Sequence, residues 1–257
     1  MDWYRIKTIL IILFVAINIF LAVLLLRENI ATRRMEEEHI AAANAVLAKN
    51  GITIKAEIPR VRGRMATLTV ENPLAEKEAF AEMLLGGKPV SADNTYYRNG
   101  NSVEITEAGF HFVGKTKPKM PGKNAVRTVK DMLTRMGFSM DYAEGRQEGQ
   151  AVYFSAAYEG KPIYGCNLVV IPGEDGPAEM QGTWLFVKEV KNEKNKIISA
   201  ADALMSFLQE KTAAQDVITC VDYGYGILVE GGYRTADAVP VWHITSDEMT
   251  KFYDARK

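Results

Sequence analysis

The stretch AVYFSAAYEGKPIYGCNLVVIP, residues 151–172, decides the fold class. β-Branched and aromatic side chains recur along both of its arms, and Glu159-Gly160 between them suits a tight turn. Arms joined by so short a connection pair antiparallel. Just upstream, residues 124–136 set Val126, Val129, Met132, Leu133 and Met136 at helical spacing, and Gly137 ends the run. FSMDYAE (138–144) reads as strand between helix and hairpin, and EMQGTWLFVKEV (179–190) as strand beyond it. A helix laid on an antiparallel sheet is an α+β architecture.

The same order recurs downstream. Residues 199–210 form a helix with Ser199 as cap and Asp202 three positions on, close to a capping box. VITCVDYGYGILVE (217–230) and AVPVWHITSDEMTKFYD (238–254) are its strands. Asp141-Tyr142 matches Asp222-Tyr223, and Pro162-Ile163-Tyr164 matches Pro240-Val241-Trp242, at offsets of 81 and 78 residues. The expectation is two copies of one unit, 124–195 and 196–257. Upstream, GITIKAEIP (51–59) alternates Ile52, Ile54, Ala56 and Ile58, and RMATLTVEN (64–72) reads as its pairing partner. A helix over 74–87 and strands at 96–98 and 102–113 around Asn99-Gly100 complete a first α+β unit, 51–114. KTKPKMPGK (115–123) is a linker whose four lysines keep it solvated.

The N-terminal part differs in kind. TILIILFVAINIFLAVLLL (8–26) holds fifteen Leu, Ile, Val or Phe in nineteen residues. As a helix it rises about 28 Å, close to the hydrocarbon thickness of a bilayer. A signal-peptide core is shorter and ends at a small-x-small site, whereas this run ends LLLREN. It reads as an uncleaved transmembrane helix with a short cytoplasmic tail, 1–7. The flanking charges, Arg5 and Lys7 against Arg27, Arg33 and Arg34, nearly balance, but long domains translocate largely regardless of charge, so residues beyond 26 are expected outside the cell. Residues 27–50 continue as a helical stalk, stopped by KNG (49–51). Asn18 lies near the membrane midplane, where an amide seeks a partner on another helix, and Ala22 shares its face and admits a neighbouring backbone. The alternative is an amide bonded to its own helix.

Formal net charge is −1, with 47% hydrophobic and 25% charged residues, which gives no reason to expect a nucleic-acid partner or extended disorder. No nucleophile elbow, Walker loop, dinucleotide fingerprint or zinc spacing occurs, so no catalytic, cofactor-binding or metal residue is assigned and the chain is not expected to be an enzyme. EEEH (36–39) is half a metal box on a solvated helix face. His39, His111 and His243 read as structural. Arg60, Arg62 and Arg64 mark a solvated turn or an anionic contact. Cys166 and Cys220 are either two small buried residues or a mutual bridge. Trp184 and Trp242 pack between sheet and helix, or line a groove with tyrosines.

Several segments in order carry a family likeness: MDWYRIKTILIILFVAINIFLAVLL, with Met1-Asp2-Trp3, Ile6-Lys7-Thr8 and Asn18 before Phe20-Leu21; then NGITI, YEGKPIYGCNLVV, GTWLF, IISAADAL and AVPVWHI. Nearly the whole chain resembles the YycI proteins of the YycH/YycI family. The resemblance implies a membrane-anchored accessory protein of Gram-positive bacteria. It would associate with the sensor histidine kinase WalK (YycG) of the WalK/WalR (YycG/YycF) two-component system, beside a YycH-like protein, and modulate control of cell-wall metabolism. It also implies contacts through membrane helices and outer domains, no enzymatic activity, no cofactor, and units similar to PepSY modules. The end DEMTKFYDARK departs from the family's longer Gly-containing hairpin, and the cysteines lie outside its pattern. The alternative function is an extracytoplasmic module that senses a cell-wall fragment or peptide.

Overall fold

The structure is a computed structural model that describes residues 3–61, 63–210, 215–229 and 232–257, with the side chains of 4–6, 8–9 and 25–33 left out. Helix α1 (Trp3–Lys49) leads into β1 (Ile52–Ile54) and β2 (Arg64–Glu71). A 3-10 turn (Pro73–Ala75) precedes α2 (Lys77–Leu85), followed by β3 (Val90–Ala92), β4 (Thr95–Arg98), β5 (Asn101–Ile105) and β6 (Phe110–Val113). Then come α3 (Ala125–Arg135), β7 (Ala143–Glu148), β8 (Ala151–Tyr158), β9 (Lys161–Pro172), β10 (Pro177–Thr183) and β11 (Phe186–Lys196). The chain closes with α4 (Ala200–Glu210), β12 (Asp216–Gly226), β13 (Thr235–Ser246) and β14 (Thr250–Asp254).

The architecture is α+β, as expected, with one large and mostly antiparallel sheet. Its strand order is β11-β2-β13-β12-β9-β10-β6-β5-β4-β3, with β1 beside β12, β14 beside β13, and β7–β8 branching from β9. Local signals act where the sequence places them. Asn99 (φ 51) and Gly100 (φ 83) both take the left-handed conformation of a primed hairpin turn. The Asp202 amide donates to Ser199 Oγ and the Ser199 amide to Asp202 Oδ2, each at 3.2 Å, which closes the capping box of α4. Helix α3 lies so close on β7 that a Cβ at Gly145 would stand 2.6 Å from Val126 Cγ1. A seam of rings joins the layers: Phe80 to Phe110 at 5.0 Å, Phe110 to Phe138 at 6.2 Å, and Phe138 to Phe186 at 6.1 Å. Trp184 and Trp242 are buried, and their indole N–H groups donate to the Ser139 and Ile198 carbonyls at 2.9 and 3.2 Å.

Five strand expectations are corrected. The segment 102–113 is not one strand but two, β5 and β6, which pair antiparallel through a turn where the Thr106 amide donates to the Gly109 carbonyl at 2.9 Å. β1 does not pair with β2; it runs parallel to β12, Ile52 opposite Asp216, while β2 lies between β11 and β13. Met65, Ala66, Thr67 and Leu68 are all buried, so β2 is covered on both faces and belongs inside a sheet. FSMDYAE is not a strand. Phe138 and Met140 plug the core after α3, and the strand begins at Ala143 along an exposed polar edge. The segment 179–190 breaks at Trp184-Leu185, where the chain passes from β10 to β11, and 238–254 folds back through Ser246–Met249, whose Ser246 amide donates to the Met249 carbonyl at 2.8 Å. The two Asp-Tyr matches are not equivalent either: Asp141-Tyr142 lies in the turn before β7, Asp222-Tyr223 inside β12.

Candidate functional site

Helix α1 contains neither Gly nor Pro and runs unbroken for 47 residues. The expected membrane span, 8–26, lies partly outside the described residues. Among those described, no helix is long and apolar enough to cross a membrane. Residues 10–24 are all exposed. Asn18 Nδ2 donates to the Phe14 carbonyl one turn back at 2.8 Å. One donor of the amide is thus satisfied within the helix, and its Oδ1 has no partner among the described residues. Ala22 is exposed one turn further on. The bond to Phe14 is the own-helix alternative, and among the described residues neither Asn18 nor Ala22 meets a second helix.

The far end of α1 is seated in the domain. Ala43 and Leu47, 5% and 0% exposed, form a contact that the sequence reading missed, and α1 packs there on α4 and β1. Their i, i+4 spacing was the available signal. Gly51 (φ 77) turns the chain out of the helix, its carbonyl accepts from the Asp216 amide at 3.1 Å, and the Lys55 amide donates to the Ile218 carbonyl at 2.9 Å. Arg60 Nη2 meets Glu37 Oε1 at 2.6 Å and ties the stalk to the segment after β1. Arg64 is exposed at the start of β2, and Arg62 lies outside the described residues.

Other candidate side chains are dispersed. His39 is exposed on the stalk, and His111 meets Glu179 at 2.9 Å on a half-exposed sheet face. His243, Tyr164 and Phe252 form a triangle of rings, with His243 4.8 Å from Tyr164 and 5.0 Å from Phe252 and those two 5.0 Å apart, and His243 lies opposite Asp222 across the β12–β13 pair. Burial lowers the His243 pKa, partly opposed by the Asp222 charge. Burial, Asp222 and Cys220 raise that of Tyr164, whose buried hydroxyl has no partner among the described residues. Cys166 and Cys220 are free thiols, one buried and one exposed. Burial pushes Cys166 up to about 12. Among the described residues no group of three His, Cys, Asp or Glu could hold a metal ion. Trp184 and Trp242 are buried, so neither forms an open aromatic wall.

This geometry defines a class: an α+β domain seated on the end of one long helix. The chain belongs to the YycI family, whose model, described as YycI protein, matches residues 32–256. That membership sets it in the context of the WalK (YycG) two-component system. No curated protein matches the chain. Among solved structures it is similar to an uncharacterized protein from Eubacterium rectale ATCC 33656, with 14% identity, 80% of this chain and 89% of that chain covered, and a TM-score of 0.36.

Proposed function

We propose that this chain is a non-catalytic regulator, anchored by residues 8–26 with its N-terminus in the cytoplasm and its domain outside. It would bind and modulate a WalK-like sensor histidine kinase beside a YycH-like protein. The observation that carries the reading is the seat of Ala43 and Leu47: a helix fixed in the core of the domain moves with it, so a contact made by either part biases the other. Family membership supplies the kinase context. Asn18 and Ala22 form the contact with a partner's membrane helix, where the free Oδ1 accepts a hydrogen bond. The test is Asn18→Leu in the full chain, with co-purification of the kinase from membranes. An interhelical bond of about 0.6–1.7 kcal/mol makes the expected loss of association roughly 3- to 20-fold. Unchanged association in a normally inserted chain refutes the contact.

A second reading, a module that senses a wall fragment or peptide, is favoured by the half-exposed stack of Tyr164, His243 and Phe252. The cavity beside it measures about 220 Å³, below the roughly 300–1,000 Å³ of ordinary ligand sites, so the regulator reading leads.

A further inference from the structure

A groove of about 1190 Å³ lies between α2 and α3, bordered by residues 115–117 and by the β9–β10 turn. Its floor is apolar: Leu84, Leu85, Phe112 and Val129 are buried, and the half-buried Met83, Met132 and Met136 lie over them. Methionine is unbranched and polarizable, so a surface built of it conforms to varied apolar side chains.

The rim is cationic. Lys115, Lys117 and Arg135 line it, all exposed. The whole segment 115–135 carries seven Lys or Arg against one carboxylate, Asp131. Glu174 and Asp175 on the turn offset part of this charge. No rim cation forms an ion pair among the described residues, so all three are available to an occupant of the groove. Cations left unpaired around an apolar floor select an occupant with carboxylates on one side and apolar side chains on the other. An anionic polymer would use the lysines but not the floor. A helix about 10 Å across with a 5.4 Å pitch occupies roughly 420 Å³ per turn, so the groove accepts two to three turns.

We infer that this groove docks an acidic amphipathic helix of a partner protein, its apolar face on Met83, Met132 and Met136 and its carboxylates at Lys115, Lys117 and Arg135. Helix-in-groove binding of this kind is read through anchors at i, i+3, i+4 and i+7. Only the assignment of that helix to the kinase or a YycH-like protein rests on the regulator reading above.

The test uses the full chain in zwitterionic nanodiscs. The probe is a fluorescein-labelled synthetic peptide of about 18 residues with Leu at i, i+3, i+4 and i+7, four Glu flanking that stripe and Ala elsewhere, its helicity checked by circular dichroism. Anisotropy should report saturable binding above that of empty nanodiscs. It should weaken as salt shortens the screening length from about 10 Å at 0.1 M to about 3 Å at 1 M. Lys117→Glu with Arg135→Glu, both at exposed positions, should weaken it about tenfold or more at unchanged thermal stability, and Met132→Glu should do the same from the apolar side. A scrambled peptide of equal composition should bind at least about tenfold less. No saturable binding, binding indifferent to these variants, or equal competition by polyphosphate overturns the inference. The titration judges the groove alone; kinase co-purification with Asn18→Leu judges the regulator reading.

Discussion

Replacing Leu47 with Ala separates a stalk that is part of the folded core from one that merely leads to it. The side chain is fully buried between α1, α4 and β1, and the change removes three carbon atoms from that contact. At about 0.8 kcal/mol per buried CH₂ the transfer loss is about 2.4 kcal/mol. The cavity left behind adds to this, and buried Leu→Ala changes elsewhere span roughly 2.7–5 kcal/mol. The expectation is about 3 kcal/mol, or a fall in Tm of roughly 6–12 °C for a domain of this size. Ala has the better helix propensity, so the loss cannot come from the helix itself. Val46, next in the chain and 39% exposed, is the internal control: Val46→Ala should change stability by less than about 0.5 kcal/mol. Urea unfolding of the full chain in nanodiscs, followed by the fluorescence of the buried Trp184 and Trp242, measures both variants. If Leu47→Ala costs less than about 1 kcal/mol, or no more than Val46→Ala, the helix is not seated in the core and the proposed coupling fails.

Gly145→Val should destabilise the domain by about 1–3 kcal/mol, because a Cβ there meets Val126 Cγ1 at 2.6 Å and Phe154 Cε1 at 2.8 Å. Adding Val126→Ala should recover part of that loss in thermal unfolding, and no recovery would show that the helix–sheet contact is not the cause. Burial holds His243 below its ordinary value of 6.5, while Asp222 pulls the other way. The unfolded chain therefore takes up the proton first as pH falls. The stabilising effect of the neutral ring is complete above that value and is lost progressively below it, until the folded-state group protonates. His243→Gln should flatten the decline in Tm between about pH 7.5 and 5.5; an identical decline in the variant refutes the assignment.

Features set by neighbours in the chain were legible. The Glu159-Gly160 turn has both residues at positive φ, 50° and 70°, and the Asn99-Gly100 turn and the Ser199–Asp202 cap formed where their residue types demand. Choices between distant partners were not. Alternation in residues 64–72 states that a strand has two faces, but not which strands flank it, and Thr67 reads as solvent-facing although it is buried and accepts from Asn195 Nδ2 at 3.2 Å. β7, with the sequence AEGRQE, offers no hydrophobic period because it is an edge exposed along its length. At the candidate site, spacing gave the shared face of Asn18 and Ala22, but the bond to Phe14 depends on a rotamer. The seat of Leu47 was hidden in an alanine-rich run, AAANAVLAK, whose small residues mask any single apolar stripe. Lys115 and Lys117 look merely solvated until the fold sets Met83 and Met132 along the same groove.

The position of β2 has a consequence for how the protein is made. Leu68 of β2 pairs with Ala238 of β13, 170 residues later in the chain. At a synthesis rate of about 5–20 residues per second, roughly ten to thirty seconds separate the appearance of the two strands. β11 can cover one edge of β2 earlier, but until β13 is made the apolar strand waits with its other edge unsatisfied, open to wrong pairing. The sheet can close only after residues 235–246 have arrived, so a chain interrupted before them leaves β2 without one of its neighbours. A truncated product therefore carries an open apolar strand edge, the kind of surface that chaperones and proteases act on.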